Sequence, residues 1–61
     1  MPPEVIEMRK WTYAMFLAVN SVRHRTEAAV FKRMGSAWLY EFAISLSDAE
    51  QRAAFRTLDS I

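Results

Sequence analysis

The stretch Trp11 to Val19, WTYAMFLAV, puts large apolar side chains on more than one side of the helix it would form. At roughly 100° of turn per residue, the helix expected from about Glu4 to Arg33 carries two apolar faces. The first is a heptad-like seam of Val5, Met8, Thr12, Met15, Val19, Val22, Thr26 and Ala29, widened by Trp11, Phe16 and Val30. The second lies nearly opposite and carries Ile6, Tyr13, Leu17, Ala28 and Phe31. A surface helix of an ordinary domain needs one apolar stripe, so a helix with two must be covered from both sides. The rest of the chain can supply one cover. A second molecule is expected to supply the other.

The chain signals the ends of this helix. Pro3 suits a first helical turn, whose N–H groups have no partner within the helix. Glu4 and Glu7 lie near the positive end of the helix dipole, Lys32 and Arg33 near the negative end, and Gly35, the single glycine, follows as a stop. No Pro or Gly interrupts the span, although Asn20, Ser21 or Thr26 could cap a new helix and break it near 20–26.

Beyond Gly35, Ser36 is a candidate cap for an apolar segment, Ala37 to Leu46. Alternation of Trp38, Tyr40, Phe42, Ile44 and Leu46 fits a strand, while Leu39, Phe42, Ala43 and Leu46 fit a helix. Helix is preferred, because a lone strand would require a partner strand from another copy. Ser47-Asp48-Ala49-Glu50 matches a capping box and predicts the start of a third helix, with Glu50 reaching back to the cap and Asp48 spaced to pair with Arg52. That helix should pack on the first through Ala49, Ala53, Phe55, Leu58 and Ile61, leaving Gln51, Arg52 and Arg56 toward water. The expected fold is therefore all-α, a single domain over 1–61 with one long helix and two shorter ones, assembled as a homodimeric helical bundle. Antiparallel packing of the long helices is favoured, since the seam lacks the regular leucine and β-branched set of a parallel zipper.

With 61 residues and no cysteine, the chain has neither a large core nor a disulfide or thiolate metal staple, which leaves self-association as the common remedy. Eight Lys and Arg against seven Asp and Glu give a net charge of +1 and recommend neither nucleic acid nor an anionic membrane. The apolar run is too short to span a bilayer, and Glu4 and Glu7 stand where a secretion signal would be positive, so a cytoplasmic protein is expected.

Nothing in the residue pattern predicts catalysis, a metal or a cofactor. His24, the single histidine, is flanked by Arg23 and Arg25, which repel a cation, and falls on the second face between Leu17 and Phe31. No serine stands in a nucleophile elbow and no glycine-rich loop could cradle a phosphate. A helix-turn-helix laid over Thr26 to Phe42 fails at Phe31, where the helix crossing needs a small residue, and at Trp38, Leu39, Tyr40 and Phe42, where base-reading polar groups belong. The expected function is a non-enzymatic interaction module, a small regulator or inhibitor of the phage, plasmid or bacterial type. It would bind a larger protein through Trp11, Tyr13, Trp38 and Tyr40, because Trp and Tyr are enriched at interface hot spots. The alternative is a dimeric nucleic-acid-binding regulator using Arg23, Arg25, Lys32 and Arg33. A membrane-surface role is disfavoured, since two opposed apolar faces do not lie flat on a bilayer.

Overall fold

The computed structural model describes residues 2–61, and among them the chain forms two α-helices and no strand. Helix α1 runs from Pro3 to Arg33 and helix α2 from Ala37 to Asp59. They lie antiparallel as a hairpin whose Cα extents are 50 × 13 × 12 Å.

Local chemistry accounts for the ends. Pro2 is extended (φ −60°, ψ 144°) and Pro3 opens α1, with Glu4 in the first turn and Lys32 and Arg33 in the last. At the far end Gly35 takes φ 81°. Its N–H donates to the Lys32 carbonyl at 3.1 Å and the Ser36 N–H donates to the Phe31 carbonyl at 3.0 Å, the paired bonds of a Schellman turn. Ser36 occupies the N-cap position of α2, but its hydroxyl makes no capping bond.

Helix α1 is unbroken through 20–26. Thr12 and Thr26 fold their hydroxyls back onto the Met8 and Val22 carbonyls at 2.9 and 3.1 Å, which satisfies them within the helix. Residues 37–46 are helical, as preferred. The third helix is not formed, because α2 continues through Ser47 to Asp59. No Pro or Gly stops it, and the Ser47 hydroxyl is used across the hairpin, donating to the Ser21 carbonyl at 2.9 Å. The other capping-box groups are diverted too: Glu50 meets His24, and Asp48 pairs with Arg25 at 3.0 Å where Arg52 was expected.

The contact between the helices is built on small residues at heptad spacing. On α1 the centre of the contact is Lys10, Ala14, Leu17, Ser21, His24, Ala28 and Phe31 and on α2 Tyr40, Ala43, Ser47, Glu50, Ala54 and Thr57, with Asn20, Leu39, Ile44, Asp48, Ala53 and Leu58 half-buried at its borders. Each set advances by alternating steps of three and four, so both seams stay in contact along the hairpin. Ser21 and Ser47 set the register, each hydroxyl donating to the other's backbone carbonyl at 3.0 and 2.9 Å. One heptad away, that register puts Ala14 level with Ala54. Small side chains at the crossing let the two backbones approach closely.

This economy has an energetic consequence. The buried apolar set is Ala14, Leu17, Ala28, Ala43 and Ala54, in which Leu17 is the one large side chain. An alanine methyl contributes about 0.8 kcal/mol on burial, against about 1.5–3 kcal/mol for a leucine or phenylalanine. The hairpin core is thus thin, and most of the chain's large apolar side chains lie outside it.

Candidate interaction surface

The two faces predicted for α1 meet different fates. The second face takes α2: Leu17 and Ala28 are buried and Phe31 half-buried, with Ile6 and Tyr13 exposed at the open end. The first face is not covered by α2 and is exposed along its length, one border of it lining a groove against α2. Met8, Met15, Val19 and Val22 are each more than 60 % exposed, and the flanking Trp11, Phe16 and Val30 more than half. No charged residue stands in this Val5–Ala29 seam.

The outer face of α2 is different in character. Past Trp38, which is exposed at the start of this face, Glu41, Ser45, Ala49, Arg52 and Arg56 recur at helical spacing and are all exposed. This is the chemistry of a solvated side. Gln51, Arg52 and Arg56 are exposed, as predicted.

Between the helices, toward their open end, runs an apolar groove with a cavity volume of about 360 Å³. Trp11, Met15 and Val22 form its α1 wall, and Ala54, Phe55 and Leu58 its α2 wall. Its polar end is fixed by Arg25, whose Nε donates to Ser47 Oγ at 2.9 Å and whose Nη2 donates to Asp48 at 3.0 Å and Gln51 at 3.3 Å. His24 Nδ1 lies 2.5 Å from Glu50 Oε1 on the same interhelical seam, both side chains less than 20 % exposed. At the open end Lys10 Nζ donates to the Ser60 carbonyl at 3.1 Å.

The four aromatic candidates are not gathered into one patch. Trp11 and Tyr13 stand near the open end, while Trp38 and Tyr40 stand beside the turn, separated by roughly 22–29 Å along the hairpin at 1.5 Å per residue. Trp11, Tyr13 and Trp38 are more than half exposed, whereas Tyr40 is half-buried beneath Lys32, whose Nζ is 5.5 Å from the ring centroid. Trp11 is the candidate that joins a larger apolar feature, and its neighbours across the groove, Phe55 and Leu58, were expected from sequence to pack on the first helix and not to line a surface with it. Their signal was the helical spacing of Ala54, Phe55 and Leu58 once α2 is one helix.

The basic candidates diverge as well. Arg25 is held by Ser47, Asp48 and Gln51, Arg23 pairs with Glu27 at 3.7 Å, and Lys32 covers Tyr40. With Arg33 at the last turn, the four spread around α1 and form no single stripe. No helix among the described residues is long and apolar enough to cross a membrane.

No protein family, curated protein or solved structure matches the chain in comparison with known proteins.

Proposed function

We propose that the chain is a non-enzymatic interaction module, a small cytoplasmic regulator or inhibitor that self-associates through its long helix and binds a larger protein through its remaining aromatic surface. The observation that carries this reading is the inversion of the usual burial pattern: alanine and serine fill the hairpin seam, while Trp11, Met15, Phe16, Val19, Val22, Trp38, Phe42 and Phe55 are each more than half exposed. Exposed apolar area of this extent marks an association surface. The nucleic-acid alternative has less support, since Arg23, Arg25 and Lys32 are each engaged by their own chain.

The test is affinity capture with the whole chain, followed by titration of the captured protein against purified chain. A single protein bound stoichiometrically, with affinity falling about 30-fold or more in Trp11→Ala or Trp38→Ala, is the expected result, the size of one interface hot spot. Recovery of nucleic acid alone, released by moderate salt and lost on replacing Arg23 and Arg33, would replace this reading with the alternative.

A further inference from the structure

We propose that the Val5–Ala29 seam of α1 is the homodimer interface and that it pairs with the same seam of a second copy, parallel and in register. This rests on the self-association named above and adds its surface, its occupant and its orientation.

The first argument is area. A folded monomer of 7.1 kDa exposes about 4,100 Å² by the usual scaling, whereas this chain exposes 4759 Å². The excess of about 700 Å² approaches the ~800 Å² that each partner buries in a stable interface. A second copy laid along the 50 Å hairpin is of the size needed to remove it.

The second argument is the seam itself. Its steps alternate three and four, the spacing that keeps two helices in contact when they supercoil. The occupant therefore has to be a helix with the same repeat, and α1 of another copy has it by construction. The two polar members do not obstruct burial: Thr12 and Thr26 already donate to the Met8 and Val22 carbonyls, so a dry interface leaves no orphan hydroxyl. The opposite side of the hairpin, the outer face of α2, is polar beyond Trp38 and stays in water when two α1 helices meet.

Orientation follows from what flanks the seam. With Val5, Thr12, Val19 and Thr26 as the a positions, every a residue is β-branched, which meets the a half of the parallel two-stranded pattern, while the d positions Met8, Met15, Val22 and Ala29 lack its leucine. Parallel pairing sets Glu4 of one copy against Arg9 of the other and places no like charges together across the seam. Antiparallel pairing with full overlap instead matches Val5 with Ala29 and Met15 with Val19; it sets Glu4 against Lys32 along one edge and brings Arg9 against Arg23 twice along the other. The arginine repulsion offsets the Glu4–Lys32 attraction, whereas parallel pairing leaves attraction alone, which weighs against the antiparallel arrangement expected from the seam's irregular leucine and β-branched positions.

The chain has no cysteine, so introduced thiols report orientation cleanly. Thr26→Cys places two thiols at facing a positions of a parallel dimer, within the Cα separation of about 4.4–6.8 Å that a disulfide spans. In the antiparallel arrangement Thr26 faces Met8, and the two Thr26→Cys sites stand roughly 27 Å apart along the axis at 1.5 Å per residue. The control is Ser45→Cys on the outer face of α2, and light scattering with circular dichroism reports mass and fold for each variant. A mass of two chains, with Thr26→Cys self-linking more than about tenfold faster than Ser45→Cys, is the expected result, because a preformed pair holds its thiols at millimolar effective concentration. Thr12→Cys gives the same readout at a second site, should Thr26→Cys lose helicity. A mass of two chains in which Thr26→Cys links only to Met8→Cys, or to neither, overturns the proposal and leaves the homodimer standing. A mass of one chain at all concentrations for the unaltered protein overturns both.

Discussion

Ser47 is fully buried and the hinge of the polar contact across the hairpin. Its hydroxyl donates to the Ser21 carbonyl and accepts from Arg25 Nε, so removing it leaves a guanidinium N–H without its partner at a tight crossing. Ser47→Ala should lower stability by about 1 kcal/mol, the net value of a typical intramolecular hydrogen bond, read from urea unfolding at fixed chain concentration. Ser47→Leu should cost more, by about 1–3 kcal/mol from overpacking in addition to the lost bonds, because the close approach of α1 and α2 leaves no room for four more carbons. A Leu variant as stable as the Ala variant would mean that the helices are not held close by small residues. The capping-box reading of Ser47 to Glu50 misled here because it weighs only neighbours in the chain. Both side chains had better partners across the hairpin, in Ser21 and His24.

At the scale of the element, the turn is the most exacting piece of backbone. Gly35 sits at φ +81°, and a Cβ added there would meet nothing within 4 Å. Gly35→Ala therefore tests backbone strain alone, at about 1–2 kcal/mol for a left-handed alanine. In a domain of about 60 residues this should lower the melting temperature by roughly 4–8 °C per kcal/mol. An unchanged melting temperature would show that the turn relaxes into another form. Helix α2 makes the complementary prediction: as one helix it should give continuous protection from hydrogen exchange across 46–49. A fast-exchanging break at those amides would restore the third helix. Legibility at this scale was high for α1, whose proline start, charged ends and glycine stop all lie within a turn of where they act. It was lower for α2, where the local cap signal at Ser47 competed with an uninterrupted helix-forming run and lost.

For the whole molecule the dominant fact is the thin core. A hairpin whose buried apolar set is four alanines and one leucine has little stabilisation of its own, and a second copy on the α1 seam would couple folding to association. The melting temperature should then rise with chain concentration, and dilution by two orders of magnitude should reduce helicity. Val19→Lys, at an exposed seam position remote from α2, should abolish that concentration dependence while leaving the α1–α2 contacts untouched. A melting temperature independent of concentration in the unaltered chain would remove self-association from the stability of the fold. The same scale explains why the aromatic candidates were only partly legible. Residue type marks Trp11 and Trp38 as interface candidates, but whether they share a patch depends on where the chain reverses, and the reversal at Gly35 sends them to opposite ends of the hairpin.

The sequence by itself determined the ends of α1, the stop at Gly35 and the existence of two opposed apolar faces, while for 37–46 it preferred helix over strand without deciding between them. Each depends on side chains interacting with backbone or solvent within a turn or two of their own position. Only the tertiary structure decided which face of α1 receives α2. The more apolar seam of Val5 to Ala29 stays open, and the face carrying Ala14, Ser21 and Ala28 is covered. The reason is steric and long-range. Close helix packing selects small residues that fall level with small residues on the partner, and the level is set by a register, Ser21 against Ser47, that no local pattern encodes.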